Sequence, residues 1–439
     1  MEGQVDSELK VAVISATSGF TPGLVAYTSA LPSLQGGTLA LYSRSAERLA
    51  PVLRVAEKLV LTQGAEVRIE GTTDRGRALE GADFVVTAIR IGGMEAHRLD
   101  IELPRELGVH QTVGDTVGPG GVFAGLRNIA GTLEIARDMA SFCPKAWMLN
   151  LTNPMATICR AVQEATSVRV IGLCPGIYDL TRYLAGALGA DPESVDVRIA
   201  GLNHCTWVKN LLVGGEDAYP RLRQAAAVGK LADQPISAQL MTVFGLYPSP
   251  ADRHVAEFFP FYHCREAEWG RAYGLKPRDV QAMTEMRRGY WTGLDERLAS
   301  AVSRERVLSD LGTEQLAGKQ VADVIAGLAG SGHSVQTVNI RNDGAIAGLP
   351  DETLVEVLAS LSATGAQGLC VGALPVAITA SYQRFVAQQE LVVKAALGGD
   401  RQAVLQALSM DALIPSIETA EALADRLLEV HAQYLTLFR

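Results

Sequence analysis

The chain has 439 residues, of which 48% are hydrophobic and 20% charged, and its formal net charge is -9. This length favours two domains or one large two-lobed unit with a sizeable core. No run of residues is apolar enough to span a bilayer, and the negative charge disfavours a polyanionic partner, so we expect neither a membrane nor a nucleic acid as partner.

The N-terminal segment and the cysteines predict a cytoplasmic location. Met1–Glu8 is acidic and polar and lacks the basic and then apolar pattern of a secretory signal. Six cysteines are spread along the chain without the spacing of a disulfide framework, which is typical of reduced thiols. They are Cys143, Cys159, Cys174, Cys205, Cys264 and Cys370.

The first half of the chain alternates short β-rich runs with amphipathic stretches. This alternation predicts an α/β fold with a doubly wound, Rossmann-like parallel sheet. Helices are predicted at Ala46–Gln63 and Ala124–Phe142. Strands are predicted at Lys10–Ser15, Thr38–Tyr42, Val67–Glu70, Asp83–Ile89, Ala146–Asn150 and Val168–Leu173.

The second half predicts an α+β, mostly helical domain. A boundary near Arg198 gives a dinucleotide-binding domain at 1–198 and a C-terminal domain for substrate, metal and oligomer contacts at 199–439. Strands are predicted at Val195–Ala200, Thr206–Val213, Val335–Ile340 and Gly368–Val371, and helices at Val376–Leu397 and Glu418–Phe438.

The turn after the first predicted strand is where a dinucleotide-binding fold places its phosphate-binding glycines. Small residues largely replace the glycines here, and the candidate cofactor contacts are Ser15, Ser18, Gly19 and Phe20. Because serine tolerates a positive φ poorly, we expect the geometry of this turn to be altered.

The end of the second predicted strand is the usual place for an acid that binds the ribose of NAD. The chain has Ser43 and Arg44 there, and a small residue followed by arginine is more typical of 2′-phosphate recognition. NADP is therefore the alternative to NAD, and Arg44 as a solvated cation at a helix start is equally compatible with the sequence.

Polar residues cluster after the fourth and fifth predicted strands. The loop Gln111–Gly121 is rich in glycine, hydroxyl and amide groups, which suits close approach to a ligand, and Thr116 is its candidate cofactor contact. Arg90 precedes the loop and offers a cation to the substrate. Asn150 and Asn153 end the fifth strand, and we assign Asn150 to the cofactor and Asn153 to sugar hydroxyls, with helix capping as the alternative for Asn153.

Cys174 and His204 each follow an apolar, strand-like run at a glycine-containing turn. A thiolate and an imidazole from two strand ends could hold one divalent metal. Free cysteines are also common as small buried hydrophobes, so the residues alone leave a core role open.

These motifs, in this order, resemble glycoside hydrolase family 4, the NAD- and metal-dependent glycosidases with a fold related to lactate and malate dehydrogenases. The resemblance implies that Cys174 and His204 ligate the metal, usually manganese, and that the protein is a homodimer or homotetramer acting on a carbohydrate. It runs from the first strand through Arg90–Gly93, Gln111–Gly121, Asn150–Pro154, Gly172–Cys174, Gly201–His204, Tyr247–Phe261, Asn342–Gly344, Leu349–Asp351, Gly372–Pro375 and Asp411.

The resemblance also implies hydrolysis through transient oxidation. The cofactor takes hydride from sugar carbon 3, a base then removes the acidified proton on carbon 2, and the glycosidic oxygen is eliminated before water adds and the hydride returns. Tyr247–Phe261 resembles the branch acting on α-galactosides, α-glucosides and α-glucuronides, in which Asp252 matches the base. Asn203, Arg253 and His254 are expected to bind an α-linked hexoside or hexuronide.

One departure from the family pattern concerns the residue after Cys174. Family members commonly have Asp, His or Asn there, whereas Pro175 has no titratable group. Asp179, a metal-bound water or a good leaving group could compensate. Two other functions stay open on sequence: an NAD(P)-dependent dehydrogenase of a hydroxy or sugar acid, and a ligand-binding protein that has lost catalysis.

Overall fold

A computed structural model describes residues 8–298, 304–311, 315–330 and 334–438. The strands in these ranges are β1 (Lys10–Ile14), β2 (Thr38–Tyr42), β3 (Arg68–Thr72), β4 (Phe84–Thr87), β5 (Trp147–Asn150), β6 (Arg169–Gly172), β7 (Val195–Leu202), β8 (Cys205–Val213), β9 (Glu216–Asp217), β10 (Pro248–Ser249), β11 (Ser334–Arg341), β12 (Ile346–Ala347), β13 (Leu354–Ser362), β14 (Gly365–Gly368) and β15 (Gly372–Ala373).

The α-helices in the same ranges divide between the two halves of the chain. Those of the first half are α1 (Thr21–Thr28), α2 (Ala46–Gln63), α3 (Arg75–Leu79), α4 (Gly93–Glu106), α5 (Gly118–Phe142), α6 (Met155–Ala165) and α7 (Gly176–Leu188). Those of the second half are α8 (Tyr219–Ala227), α9 (Pro235–Phe244), α10 (Asp252–Val255), α11 (Val280–Leu298), α12 (Arg304–Leu311), α13 (Gln315–Leu328), α14 (Val376–Gly398), α15 (Arg401–Ser409) and α16 (Ile417–Val430).

The first six strands are parallel and lie in the order β3-β2-β1-β4-β5-β6. This is the doubly wound arrangement of dinucleotide-binding folds, so the predicted fold class is confirmed. Successive residues of β1 bury opposite faces of the sheet, because Val11 and Val13 pack in one apolar core while Ala12 and Ile14 pack in another. Helices cover both faces, which explains why these strands read as continuous apolar runs.

The sheet continues past β6 with antiparallel strands in the order β11-β13-β7-β8-β10. Both halves of the chain therefore share one sheet. The predicted domain boundary after residue 198 lies inside β7, and the division into two domains stays a prediction.

Some elements differ from the sequence expectations. β13, the central strand of the second half, was not predicted, and of the predicted strand Gly368–Val371 only Gly368 lies in a strand, at the end of β14. α5 begins at Gly118, six residues before its predicted start. The first turn contains glycines and a proline, which have low helix propensity, so the sequence pattern did not indicate a helix there. α16 ends at Val430, where the chain turns so that His431 is buried against α4.

None of the helices in the described ranges is both long and apolar enough to cross a bilayer.

Candidate active site

Cys174 and His204 lie at neighbouring ends of strands in one sheet. Cys174 follows β6 by two residues, and His204 lies in the turn that joins β7 to β8. His204 has a φ of 67°, a left-handed conformation that few non-glycine residues adopt. Such outliers concentrate at functional sites, where surrounding structure holds them in place.

The hydrogen bonds of His204 suit a metal ligand. Its Nδ1 lies 2.7 Å from the Thr116 hydroxyl, which fixes the ring and leaves Nε2 for another partner. Burial lowers the pKa of His204 to about 4, so the imidazole is neutral, the form that binds metals. Thr116, predicted as a cofactor contact, thus lies beside the candidate metal ligand, and its contact with a cofactor stays a prediction.

The surroundings of Cys174 fit a thiolate that becomes stable only when a cation is bound. Burial, and then the charge of Glu356, raise the pKa of the Cys174 thiol above its usual range. Within the described ranges, no group of three or more His, Cys, Asp or Glu side chains could hold a metal ion. A metal held by Cys174 and His204 would therefore take its other ligands from the substrate or from water.

Two arginines pair with Asp115 in the loop beside the candidate metal ligands. Arg278 Nη1 lies 2.7 Å from Asp115 Oδ2, and Arg90 Nη2 lies 3.8 Å from the same oxygen. Burial by itself raises the pKa of the Asp115 carboxyl, but Arg278 and Arg90 outweigh it and hold the pKa well below its usual range. Asp115 is therefore ionised and pairs with both guanidinium groups.

The glycines of the loop Gln111–Gly121 serve internal packing, which differs from the expected approach to a ligand. A Cβ on Gly121 would lie 2.4 Å from the Thr116 carbonyl carbon, so the loop folds directly onto α5. The carboxylate of Glu257 accepts hydrogen bonds from the backbone N–H groups of residues 112, 113 and 114 at 2.8–2.9 Å. Glu257 therefore takes the place of an anionic ligand in this ring of donors.

His254 and Arg253, predicted as substrate contacts, lie near the candidate metal ligand His204, and their contact with a substrate stays a prediction. The ring centroids of His254 and His204 are 4.4 Å apart. Burial and the neighbouring His204 keep the pKa of His254 well below its usual value. Arg253 is exposed, and its charge acts on His204 together with that of Arg278.

The carboxylate of Asp252, the residue predicted as the base, is engaged by the start of α9. It accepts hydrogen bonds from the backbone N–H of Ile236 at 2.8 Å and of Ser237 at 2.7 Å, and from the Ser237 hydroxyl. These donors lie in the first turn of α9, whose orphan N–H groups need an acceptor. The contacts give Asp252 a role in capping α9, and its assignment as the base stays a prediction.

Three predicted substrate contacts have buried polar atoms without a hydrogen-bond partner among the described residues. They are Asn153 Oδ1, Asn203 Oδ1 and His254 Nδ1. An unsatisfied buried polar group costs about 1–3 kcal/mol, so such atoms in a native fold point to a ligand or water. The three atoms are therefore candidates for hydrogen bonds to a polar ligand such as a sugar, or to water.

The turn after β1 retains the left-handed residue of a phosphate-binding turn although it lacks the glycine. Ser15 has a φ of 69°. Trp291 Nε1 and the Tyr290 hydroxyl of α11 donate to the carbonyls of Thr17 and Gly19 at 3.3 and 3.4 Å, which braces the turn from the second half of the chain. The turn leads into the N-terminus of α1, a position that suits a pyrophosphate.

The remaining predicted contacts lie as follows. Ser18 accepts a hydrogen bond from Phe20 N–H within the turn, and Ser43 accepts one from Ser45 N–H, while Arg44 is exposed. Asn150 is completely buried, and its amide bonds Thr87 and the backbone of Thr152. The side chain of Asn150 therefore braces β5 against β4, and its contact with the cofactor stays a prediction.

Asp179, proposed as a substitute for the acid missing at Pro175, lies on the surface. Its side chain is 58% exposed and pairs with Arg182 on the same helix, α7. The sequence reasoning gave no role to Asp115, Arg278 or Glu356. A single acid within the apolar run of β13 is a signal that could have identified Glu356, whereas nothing in the sequence distinguishes Arg278.

Two protein-family sequence models together match most of the chain. The family 4 glycosyl hydrolase model matches residues 10–190, and the model of the C-terminal domain of family 4 glycosyl hydrolases matches residues 199–414. A Bacillus subtilis (strain 168) protein named "Probable 6-phospho-beta-glucosidase" is 30% identical over 98% of each chain. An alpha-galactosidase and an alpha-galacturonidase of the same organism are 29% and 28% identical over 92% and 93% of this chain and 93% and 94% of their own.

Solved structures share the fold over nearly the whole chain. The lplD protein of Bacillus subtilis has a TM-score of 0.82 at 26% identity, covering 96% of this chain and 100% of its own. A 6-phospho-alpha-glucosidase from gut microorganisms, solved with NAD and Mn²⁺, has a TM-score of 0.82 at 21% identity, covering 98% and 99%. A lactate dehydrogenase from Cryptosporidium parvum has a TM-score of 0.51 at 12% identity, covering 89% and 98%.

Proposed function

The chain belongs to family 4 of the glycosyl hydrolases, and on that premise we propose that this glycosidase hydrolyses an α-linked hexuronide with NAD and a divalent metal, preferably manganese, as cofactors. The 6-phospho-alpha-glucosidase structure with NAD and Mn²⁺ supports the choice of cofactors. Cys174 and His204 would hold the metal, and Ser15, Ser18, Gly19 and Phe20 would surround the cofactor pyrophosphate.

The observation that carries the hexuronide proposal is the guanidinium group of Arg253 beside His204, which forms no ion pair in the described part of the chain. The charges of Arg253 and Arg278 act on His204, and Arg90 lies against the same carboxylate as Arg278. Asp115 pairs with Arg278 and Arg90, whereas Arg253 keeps its charge available to a ligand. A uronate carboxylate would pair with Arg253 through charge-assisted hydrogen bonds, and one relative is an alpha-galacturonidase.

When bound, the nicotinamide supplies reversible removal of hydride from sugar carbon 3, and the metal supplies stabilisation of the negative charge that develops beside it. The protein's own side chains orient the sugar. Asn153 and Asn203 each offer a buried amide oxygen to a hydroxyl group. Thr116 fixes the ring of His204, so the metal ligand needs no reorganisation during turnover.

With Asp252 engaged by α9, we propose His254 as the base that takes the proton from carbon 2. His254 lies against His204, it is neutral, and its Nδ1 has no partner in the described part of the chain. A neutral imidazole with a free ring nitrogen can accept a proton and return it in the addition step.

We expect a clear preference for anionic substrates. With NAD, Mn²⁺ and reductant, kcat/KM for 4-nitrophenyl α-D-galacturonide should exceed that for the α-D-galactoside by at least about tenfold. This factor corresponds to the free energy of one charge-assisted hydrogen bond. Arg253→Gln should lower kcat/KM about 10- to 100-fold on the uronide and less than about threefold on the neutral sugar.

The control is Arg401→Gln, which removes an exposed arginine paired with Asp425 on the C-terminal helices. The same assays include β-glycosides, 6-phosphoglycosides and the absorbance of reduced nicotinamide. Higher activity on a 6-phosphoglucoside would contradict the hexuronide. A stoichiometric rise in NADH would contradict hydrolysis itself and favour the dehydrogenase, because the hydrolytic cycle returns its hydride.

Exchange of solvent deuterium into carbon 2 of the product tests separately which residue is the base. His254→Gln should slow exchange and turnover together by about 10²- to 10⁴-fold. Asp252→Asn should keep turnover within about tenfold but lower the free energy of unfolding by about 1–2 kcal/mol, because α9 loses its acceptor. Loss of exchange in Asp252→Asn with unchanged stability would return the base role to Asp252.

We further propose a cytoplasmic enzyme that forms a homodimer or homotetramer. All six cysteines are free, which suits a reducing compartment. Leu369 and Val376, 38% and 84% exposed, flank β15 and give an apolar surface for a second copy of the chain.

A further inference from the structure

Glu356 lies in the sheet directly below the candidate metal ligands. It sits on β13, paired in register with Gly201 of β7 on one side and Asn339 of β11 on the other. Asn339 is in turn paired with Gly172 of β6. Cys174 follows Gly172 by two residues and His204 follows Gly201 by three, so the row of four paired residues spans the base of the metal site.

The side chain of Glu356 reaches both ligands through one intermediary. Asn203 Nδ2 donates a hydrogen bond to Glu356 Oε2 at 3.0 Å. Asn203 immediately precedes His204, and its amide is close enough to the Cys174 sulfur to lower the pKa of the thiol. Glu356 therefore sets the orientation of the amide that lies between the two metal ligands.

The negative charge of Glu356 lacks a protein cation. Its carboxylate is 3% exposed, and across the described ranges no Lys, Arg or His side chain forms an ion pair with it. Burial raises its pKa to about 7. The neighbouring Asn339 is completely buried, and neither of its amide atoms has a partner among the described residues. A buried charge without a counter-ion is costly, and a metal is a common way to balance it.

We propose that Glu356 is a positioning residue of the metal site, which holds the Asn203 amide against Cys174 and supplies a buried negative charge that the divalent ion neutralises. This inference rests on the proposed metal ligands Cys174 and His204. A purely structural glutamate would stabilise the protein with and without metal. Glu356 should stabilise only the metal-bound form.

Glu356→Gln separates these roles because glutamine keeps the shape and the hydrogen bond to Asn203 but removes the charge. Outer-shell partners of metal ligands are worth about 10- to 100-fold in affinity, so the Mn²⁺ dissociation constant, measured by titration calorimetry without sugar, should rise by that factor. The melting temperature of the metal-free protein should stay the same or rise, since a buried charge is gone. Glu352→Gln, an exposed glutamate four residues earlier, is the matched control and should change neither value.

Cys174→Ser in the same titration distinguishes the possible failures. If Cys174→Ser loses Mn²⁺ while Glu356→Gln binds it within about threefold of the parent, the role of Glu356 is overturned and the metal site stands. If Cys174→Ser binds Mn²⁺ like the parent, the metal ligands are wrong and the inference falls with them. Should Glu356→Gln not fold, Glu356→Asp withdraws the charge from Asn203 by one methylene group and must also weaken Mn²⁺ binding.

Discussion

Replacement of Cys174 by serine is expected to abolish metal binding and hydrolysis while the fold persists. Serine is a poor ligand because its hydroxyl stays protonated, whereas a thiolate suits borderline-soft divalent ions. Loss of the metal removes several kcal/mol of transition-state stabilisation, so turnover should fall on the order of 10³-fold or more. Stability should change little, because the hydroxyl can accept from the same Asn203 amide and Gly176 N–H that surround the sulfur.

Three measurements test this prediction: the metal content by elemental analysis, the turnover rate, and NAD binding by fluorescence quenching. NAD binding should survive, since the turn after β1 lies on a different strand from Cys174. Cys159→Ser, the same change at a buried thiol of α6 that contacts Asn150, is the control and should keep both metal and activity. A Cys174→Ser protein that retains its full metal content would show that Cys174 is not a ligand.

Asp100→Asn is expected to be the most destabilising of the substitutions considered, at about 3–5 kcal/mol of unfolding free energy. Arg127 Nη1 and Nη2 donate to the two Asp100 oxygens at 2.9 and 2.5 Å, and His431 Nε2 lies 2.9 Å from Oδ1. All three side chains are at most 2% exposed. Asparagine would leave the guanidinium buried against a neutral partner.

The pH dependence of stability has a defined sign for this cluster. Burial alone raises the pKa of the Asp100 carboxyl, but Arg127 and His431 outweigh it and hold the pKa below its usual value. The contribution of Asp100 to stability is therefore complete above the ordinary aspartate pKa and is lost as the pH falls through the lowered one.

Urea denaturation of Asp100→Asn measures the loss, with Asp425→Asn, an exposed partner of Arg401, as the control. The control should change the unfolding free energy by less than about 1 kcal/mol, as surface ion pairs do. A value for Asp100→Asn within the same range would show that the cluster does not stabilise the protein.

The sequence predicted the parallel half of the sheet well because buried parallel strands are short apolar runs, and six of them alternate with helices. The sequence did not predict β13, because Glu356 interrupts its apolar run. The partners of that charged side chain lie on neighbouring strands, which the local sequence does not reveal. The start of α5 was also not predicted, because a tertiary contact determines the residues of its first turn. Gly120 and Gly121 disfavour a helix locally, yet the close contact with the preceding loop requires them.

The candidate site divides along the same line. Cys174 and His204 lie at strand ends, where the sequence predicted ligand contacts, and Arg253 lies near His204; their roles stay predictions. Asp252 matches the family motif by residue type, but its side chain caps α9. The side chain that faces His204 belongs to His254, two residues later. Ser15 adopts the positive φ that its identity disfavoured, because the strand before it and the helix after it fix the turn.

The continuous sheet determines how this enzyme can move. Cys174 and His204 follow strands of one hydrogen-bonded sheet, which β11 and β13 connect through the pairs Gly172–Asn339 and Gly201–Glu356. Bending of the sheet between the two ligands would break these pairs. We therefore expect the separation of the two ligands to change little on sugar binding, in contrast to enzymes that close two lobes on a hinge.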